Sequence, residues 1–276
     1  MIALGSLILA MISIQAGAAY AKHLFAAIGP QGTTGLRCSI SALVLLLVWR
    51  PWRGKLSGKA GLAALLYGLS LGAMNYCFYM SLEKLPLGVA VAVEFTGPLA
   101  LALVSSRRPL DFLWIGLAVA GLVGLSPLPA GSMRLDPTGL GFALMAGGFW
   151  AAYIIFGKRV VRTMPGSRAS ALGMAVAGAL TLPLGVAHAG SDLLAPSILA
   201  TAFVVSMMSS TIPYSLEMVA LKRMTAKSFS VLTSLEPAIA AATGWLVNAE
   251  QLSTLQLGCM GALILASLGC TLTHRS

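Results

Sequence analysis

The sequence predicts an all-α integral membrane protein of ten transmembrane helices arranged as two inverted five-helix repeats, and three observations carry that prediction. Of the 276 residues, 58% are hydrophobic and only 9% charged, with a mean hydropathy of +0.88. Soluble domains hold roughly 45–50% apolar and 25% charged residues. Apolar stretches recur in lengths of about 18–22 residues, which at about 1.5 Å per residue cover a hydrocarbon core of roughly 30 Å. The third observation is that the chain resembles itself: Gly5, Ala10, Ala16 and Lys22 align with Gly141, Ala146, Ala152 and Lys158 at an offset of 136. Leu82 to Pro86 align with Leu221 to Thr225 at 139, which also brings Pro98 onto Pro237.

The spans fall at 3–21, 31–49, 60–82, 87–104, 111–127, 138–157, 169–187, 197–219, 227–247 and 254–272. Span 1 ends near Ala19-Tyr20-Ala21, which resembles a signal cleavage box. No positive n-region precedes it and the stretch is already long enough to cross, so it reads as a retained helix. Span 2 runs into Trp49-Arg50-Pro51-Trp52-Arg53, an aromatic belt beside positive charge, and Tyr20 and Tyr153 read as easily as interfacial anchors as they do as site residues. Span 3 carries Gly68 and Gly72 at GxxxG spacing, and span 10 carries Gly258 and Gly261, both suited to helix packing. Pro98 interrupts span 4 and Pro237 interrupts span 9 at matching places in the two halves. Span 8 contains Pro213-Tyr214, and Ser209, Ser210 and Thr211 just before it can satisfy the carbonyls that a proline frees.

Connections are short, the longest being 127–137 and 188–196, which leaves no room for a soluble catalytic or nucleotide-binding domain. The repeats therefore occupy residues 1–128 and 138–276. Because five is odd, the second copy enters from the opposite face, and the pseudo-twofold axis lies in the membrane plane.

The net charge of +10 is spread over loops rather than gathered on one face, so no nucleic-acid partner is expected. With the N-terminus inside, 14 of the 18 Lys and Arg residues are cytoplasmic, which places both termini in the cytoplasm by the positive-inside rule. Cys38, Cys77, Cys259 and Cys270 all lie within apolar spans as small hydrophobes, and no disulfide, metal site or cofactor is expected. His23, His188 and His274 sit at span ends, and neither GxSxG nor a P-loop occurs, so no catalytic residue is assigned.

Polar groups at membrane depth cost about 2.5–3.5 kcal/mol each on insertion scales and usually face a cavity and act on a solute. Arg37, in span 2, offers fixed bidentate donors that match a carboxylate; it reads either as the binder of an amino-acid-like solute or as a structural ion pair with Glu94 or Glu236. Glu94 and Glu236 fall near the midplane, where either would bind an ammonium group or take up a proton during transport. Gln15, Asn75 and Tyr76 supply further cavity groups or interhelical bonds, and Tyr76 and Tyr79 share a face that would cap the site. Tyr214 joins the candidate substrate contacts, with Glu217 as a gate or ion-pair residue beside Lys222 and Arg223, and with Pro98 and Pro237 as points of gating.

Several runs are more specific than hydropathy: Ser13-Ile14-Gln15, Met74-Asn75-Tyr76, Pro86-Leu87-Gly88, Glu94-Phe95-Thr96-Gly97-Pro98-Leu99-Ala100, Ser105 to Pro109, Pro213 to Met218 and Glu236-Pro237-Ala238. Through them the chain resembles, over nearly its whole length, the ten-helix EamA-like branch of the drug/metabolite transporter superfamily. The resemblance implies a bacterial inner-membrane secondary exporter of small neutral amino acids, threonine and homoserine first, driven by the proton-motive force. Its implied partners are that solute, protons and the bilayer, and a homodimer is compatible with it. The family's usual Gly-Glu after span 9 reads Ala249-Glu250 here, which bears on the geometry of that turn. Two other readings stand beside this one. The same fold would carry a hydrophobic cation on Glu94, Glu236 and the tyrosines, although Arg37 argues against it. A lipid-active membrane enzyme would instead need its polar cluster near one interface.

Overall fold

The computed structural model describes residues 2–53, 57–104, 113–114, 116–121, 136–213, 216 and 235–273. Among these there are helices and turns and no strand. In chain order the helices are α1 (Ile2–Ala21), α2 (Phe25–Trp49), α3 (Gly58–Leu82), α4 (Leu87–Glu94), α5 (Thr96–Val104), α6 (Pro137–Val160), α7 (Gly166–Ala189), α8 (Pro196–Ser206), α9 (Glu236–Asn248) and α10 (Thr254–Thr273). Four helical stretches are long and apolar enough to cross a membrane: Gly5–Trp49, which holds α1 and α2, then Gly58–Leu82, Pro137–Val160 and Gly166–Leu194. Large apolar side chains face outward from the bundle, Leu47, Trp245 and Leu246 being 66%, 64% and 73% exposed, as suits a lipid solvent rather than water. The protein is an all-helical membrane protein.

Prolines explain where the helices depart from the expected spans. The backbone leaves helical geometry at Gly29 (φ 64°), and Pro30 restarts the helix at the expected edge of span 2. A side chain at Gly29 would meet both that positive φ and the His188 ring. Span 4 divides at Phe95 into α4 and α5, because Pro98 has no N–H to give the Glu94 carbonyl. α8 passes into a π-helical turn, Met207–Thr211, because Pro213 in the same way leaves the Ser209 carbonyl without its i+4 donor. The N-terminus of α6 is capped by Asp136, whose carboxylate accepts from Thr138 N at 2.7 Å and Gly139 N at 3.4 Å. The hydroxyl and backbone bonds from Thr138, helped by Gly139 and by Lys84, hold its carboxyl at about 2.

Small residues let the helices approach. α2 lies along α7, where a methyl at Gly35 would sit 3.0 Å from the Thr181 carbonyl oxygen and one at Gly178 3.2 Å from Ser39 Cα. Gly68 and Gly72 pack α3 onto α7, against Gly173, Val176 and Ala177, as their spacing predicts. Gly258 and Gly261 do not follow that expectation: among the described residues nothing approaches them. α9 and α10 touch only sparsely, and Gly261 borders the open space between them. α1 and α4 pack on α9, α3 on α6, and α8 with its π turn on α1 and α2. Cys38, Cys77 and Cys259 are buried free thiols.

One end of the bundle is tied by charge. Lys22 Nζ lies 2.7 Å from Glu250 Oε1 and donates to the Leu85 carbonyl at 3.3 Å. Glu250 Oε2 accepts from Leu87 N at 2.7 Å, so one carboxylate joins the end of α1, the start of α4 and the turn after α9. That turn contains Ala249 at φ 52° and ψ 30°, the left-handed C-cap of α9. An L side chain there is strained whereas glycine is not. Ala249→Gly is therefore expected to stabilise the protein by about 1 kcal/mol and raise its Tm in detergent by roughly 2 °C; a fall in Tm would show that the turn relaxes around alanine without strain.

Candidate functional site

Arg37 enters the bundle from the middle of α2, only 3% exposed. Its guanidinium donates to Ser210 Oγ at 2.8 Å and to Asn75 Oδ1, and its carbon lies 4.7 Å from the centre of the Tyr79 ring. Asn75 is fixed in turn, since its Nδ2 donates to the Leu71 carbonyl at 2.8 Å and so aims its oxygen at the arginine. The π turn serves the same end from the opposite side. By widening the helix it places Ser210 on the guanidinium and Ser209 on α1 near Gly17, while Ser13 Oγ reaches back to the Met208 carbonyl at 2.7 Å. Ser206 and Ser41 bond across α2 and α8 through the carbonyls of Arg37 and Ser206, both at 3.2 Å. The arginine is thus held by three helices before any solute arrives.

Around it is a cavity of about 110 Å³, room for a cluster of waters or one small polar solute. Gln15, Arg37, Asn75, Glu94, Ser209 and Glu236 line it with polar atoms from six different elements; Phe78, Tyr79, Trp150 and Tyr153 give it aromatic walls. Glu94 is the last residue of α4, at the point where the helix breaks, and Glu236 is the first of α9; each is 7% exposed. Glu94 lies within electrostatic reach of both Glu236 and Arg37. The break that carries Glu94 is locked against α6. A methyl at Gly97 would enter the Gly147 carbonyl, and one at Gly147 would sit 2.6 Å from the Glu94 carbonyl oxygen. Phe95 meets Trp150 edge to face, with ring centres 5.3 Å apart, which sets the aromatic wall opposite the carboxylate.

Of the residues singled out in the sequence, Gln15, Arg37, Asn75, Glu94 and Glu236 converge on this cavity. Pro98 lies just after the break between α4 and α5 and Pro237 in the first turn of α9, partly and fully buried respectively. Tyr76 packs beside the main apolar cluster, and Tyr79, three residues on, is the tyrosine that faces the solute space. Tyr214 and Glu217 lie outside the described residues. Of the two readings open to Tyr153, the structure favours the cavity: it is half-buried on the wall, with its ring 5.0 Å from that of Tyr67 and its hydroxyl accepting from Tyr67 at 3.3 Å. Trp150 escaped the sequence reading altogether, although its three-residue spacing from Tyr153 places both on one helix face.

A helical bundle with the apolar exterior of a membrane protein closes a small polar chamber around one arginine and two carboxylates, an arrangement that suits a transporter. Residues 137–273 match the EamA-like transporter family. The chain is 46% identical over 269 residues to the threonine/homoserine exporter RhtA of Escherichia coli (strain K12), and equally to that of Salmonella typhimurium (strain LT2); each alignment covers 98% of this chain and 91% of the relative. A crystal structure of a protein with 18% identity superposes with a TM-score of 0.64 over 98% of both chains, which shows a shared fold alone. The protein belongs to the EamA-like transporter family and is a transporter rather than an enzyme.

Proposed function

We propose that the protein is a secondary exporter of small neutral amino acids, threonine and homoserine foremost, in a bacterial inner membrane, with both termini cytoplasmic. The observation that carries this reading is the opposition of charges in one chamber. Arg37, oriented by Asn75 and Ser210, faces a solute carboxylate, while Glu94, with Glu236 beyond it, faces the ammonium group. A zwitterion would be held at both ends. The identity to exporters of these two amino acids supports the same cargo.

Transport proceeds by alternating access between two inverted repeats, residues 1–128 and 138–276. The packing supports this, because exchanging the halves maps α1 on α9 onto α6 on α4 and α5, and α3 on α6 onto α8 on α1, while α2 on α7 and α4 on α9 map onto themselves. Arg37 bonds to α3 through Asn75 and to the π turn through Ser210, at nearly equivalent places in the two repeats. Lys22, Glu250 and the Leu87 amide tie shut the face that the positive-inside orientation makes external. Glu94 and Glu236, with Pro98 and Pro237 close to them in the chain, couple the cycle to protons, because two carboxylates share the chamber with one arginine and the remaining charge calls for a proton or a solute cation. Membrane potential is worth about 2.3 kcal/mol per charge per 100 mV, so one proton per cycle would sustain a gradient of roughly fiftyfold. Tyr214 serves as a further substrate contact and Glu217 as a gate or ion-pair residue, and the exporter works as a monomer or a homodimer.

The test is flux of labelled threonine and homoserine in proteoliposomes under an imposed pH gradient. Wild-type protein is expected to show gradient-accelerated flux, and Glu94→Gln to lower it by about tenfold or more. Gradient-insensitive flux in the wild type would remove proton coupling, and flux of a hydrophobic cation without any amino-acid flux would assign the other cargo.

A further inference from the structure

Among the described residues, three polar atoms on the wall of the chamber are buried without a hydrogen bond of normal geometry: Gln15 Oε1, Tyr79 Oη and Ser209 Oγ. Their residues are 2%, 1% and 5% exposed, and all three line the same space. A buried polar atom without a partner costs about 1–3 kcal/mol, and three of them on one wall of a solute chamber mark a place where a ligand completes the bonding. Their positions are also enforced. Tyr79 is clamped between the Arg37 guanidinium at 4.7 Å and the rings of Phe25 and Phe78 at 6.0 and 5.9 Å. Ser209 is turned inward by the π turn and fits only because Gly17 has no side chain. The Tyr79 and Ser209 hydroxyls are close enough for a weak hydrogen-bonding interaction with each other but do not reach the geometry of a full bond, so each keeps bonding capacity for a ligand.

We infer that Tyr79, Ser209 and Gln15 form a subsite that reads the side-chain hydroxyl of the solute, making the transporter selective for hydroxylated over aliphatic amino acids of the same size. The inference rests on the amino-acid reading above and assigns the part of the chamber that charge pairing leaves unused. A hydroxyl both donates and accepts. It would donate to Gln15 Oε1, which only accepts, and accept from Tyr79 or Ser209, which also donate. The ring of Tyr79 touches the guanidinium that holds the carboxylate, so the hydroxyl is read within one small molecule's reach of the carboxylate. An isosteric methyl in that place would leave all three polar atoms bare. A site built around a hydroxyl rejects the analogue lacking it far more strongly than a hydrophobic pocket rejects an added hydroxyl.

The test is homoserine counterflow in proteoliposomes, inhibited either by threonine or by valine, its methyl isostere. Wild-type protein is expected to need at least ~10-fold more valine than threonine for half inhibition. Tyr79→Phe and Ser209→Ala, each the loss of one hydroxyl, are expected to narrow that ratio severalfold, chiefly by weakening threonine, with valine inhibition kept as the sign of a folded site. A ratio near one in the wild type, or one unchanged in both variants while counterflow persists, would overturn the subsite. Absence of homoserine counterflow in the wild type would instead overturn the amino-acid reading on which it rests.

Discussion

Protein carrying Arg37→Met is expected to move threonine and homoserine at least ~100-fold more slowly than wild type while remaining folded. The variant removes two charge-assisted hydrogen bonds and the only cation among the described residues that line the cavity, and bonds to a charged group are worth about 1.5–3 kcal/mol each. Methionine fills much of the same volume, so the bundle has little reason to collapse, and Asn75 keeps its own bond to Leu71. Arg37→Lys sharpens the point. It keeps the charge but loses the planar fork that reaches Ser210 and Asn75 together, and a rise of about tenfold in KM is expected. Near-normal flux in Arg37→Met would mean that the arginine serves the scaffold and that the solute carboxylate binds elsewhere.

Gly97→Val is expected to destabilise the protein by about 3 kcal/mol or more. The two backbones at the helix break are in contact, and a side chain at Gly97 would enter the Gly147 carbonyl, so the break carrying Glu94 would have to move away from α6. The neighbouring glycine supplies the control. Gly148 is exposed and has nothing near the place of a Cβ, and Gly148→Ala is expected to be neutral or slightly stabilising. Thermal unfolding in detergent would compare the two variants, and equal Tm values would show that the contact between α5 and α6 yields easily. The same contact bears on transport, because it sets where the Glu94 carboxylate stands relative to Arg37. A milder variant, Gly97→Ala, would report that displacement as lost flux.

Much of the site was legible because charge and proline are rare at membrane depth. Arg37, Glu94 and Glu236 stand out in apolar runs with no need of a fold to reveal them, and Asn75 and Gln15 follow by the same desolvation argument. Trp150 did not stand out, and Tyr79, Tyr153 and Ser209 did so only as an aromatic cap, an anchor and a partner for freed carbonyls, since aromatic and hydroxyl residues are common in membrane helices. Their role depends on which way a helix face turns. For Ser209 that direction is set by a π turn, which shifts the face presented by every residue after it. Sequence periodicity assumes a regular helix and loses its phase at such a turn.

The sequence by itself determined that the chain is a helical membrane protein, roughly where its described helices run, and which charged groups they carry, because burial of backbone polar groups in lipid leaves few alternatives to a helix. Only the tertiary structure decided that Arg37 is held by Asn75 and Ser210, that Glu94 and Glu236 share its chamber, and that Lys22 and Glu250 close one end. These partners are separated by up to 228 residues of chain, and their meeting depends on which helix faces touch. That choice is made by small residues such as Gly35, Gly97 and Gly178, whose identity permits close approach but does not name the helix that will approach.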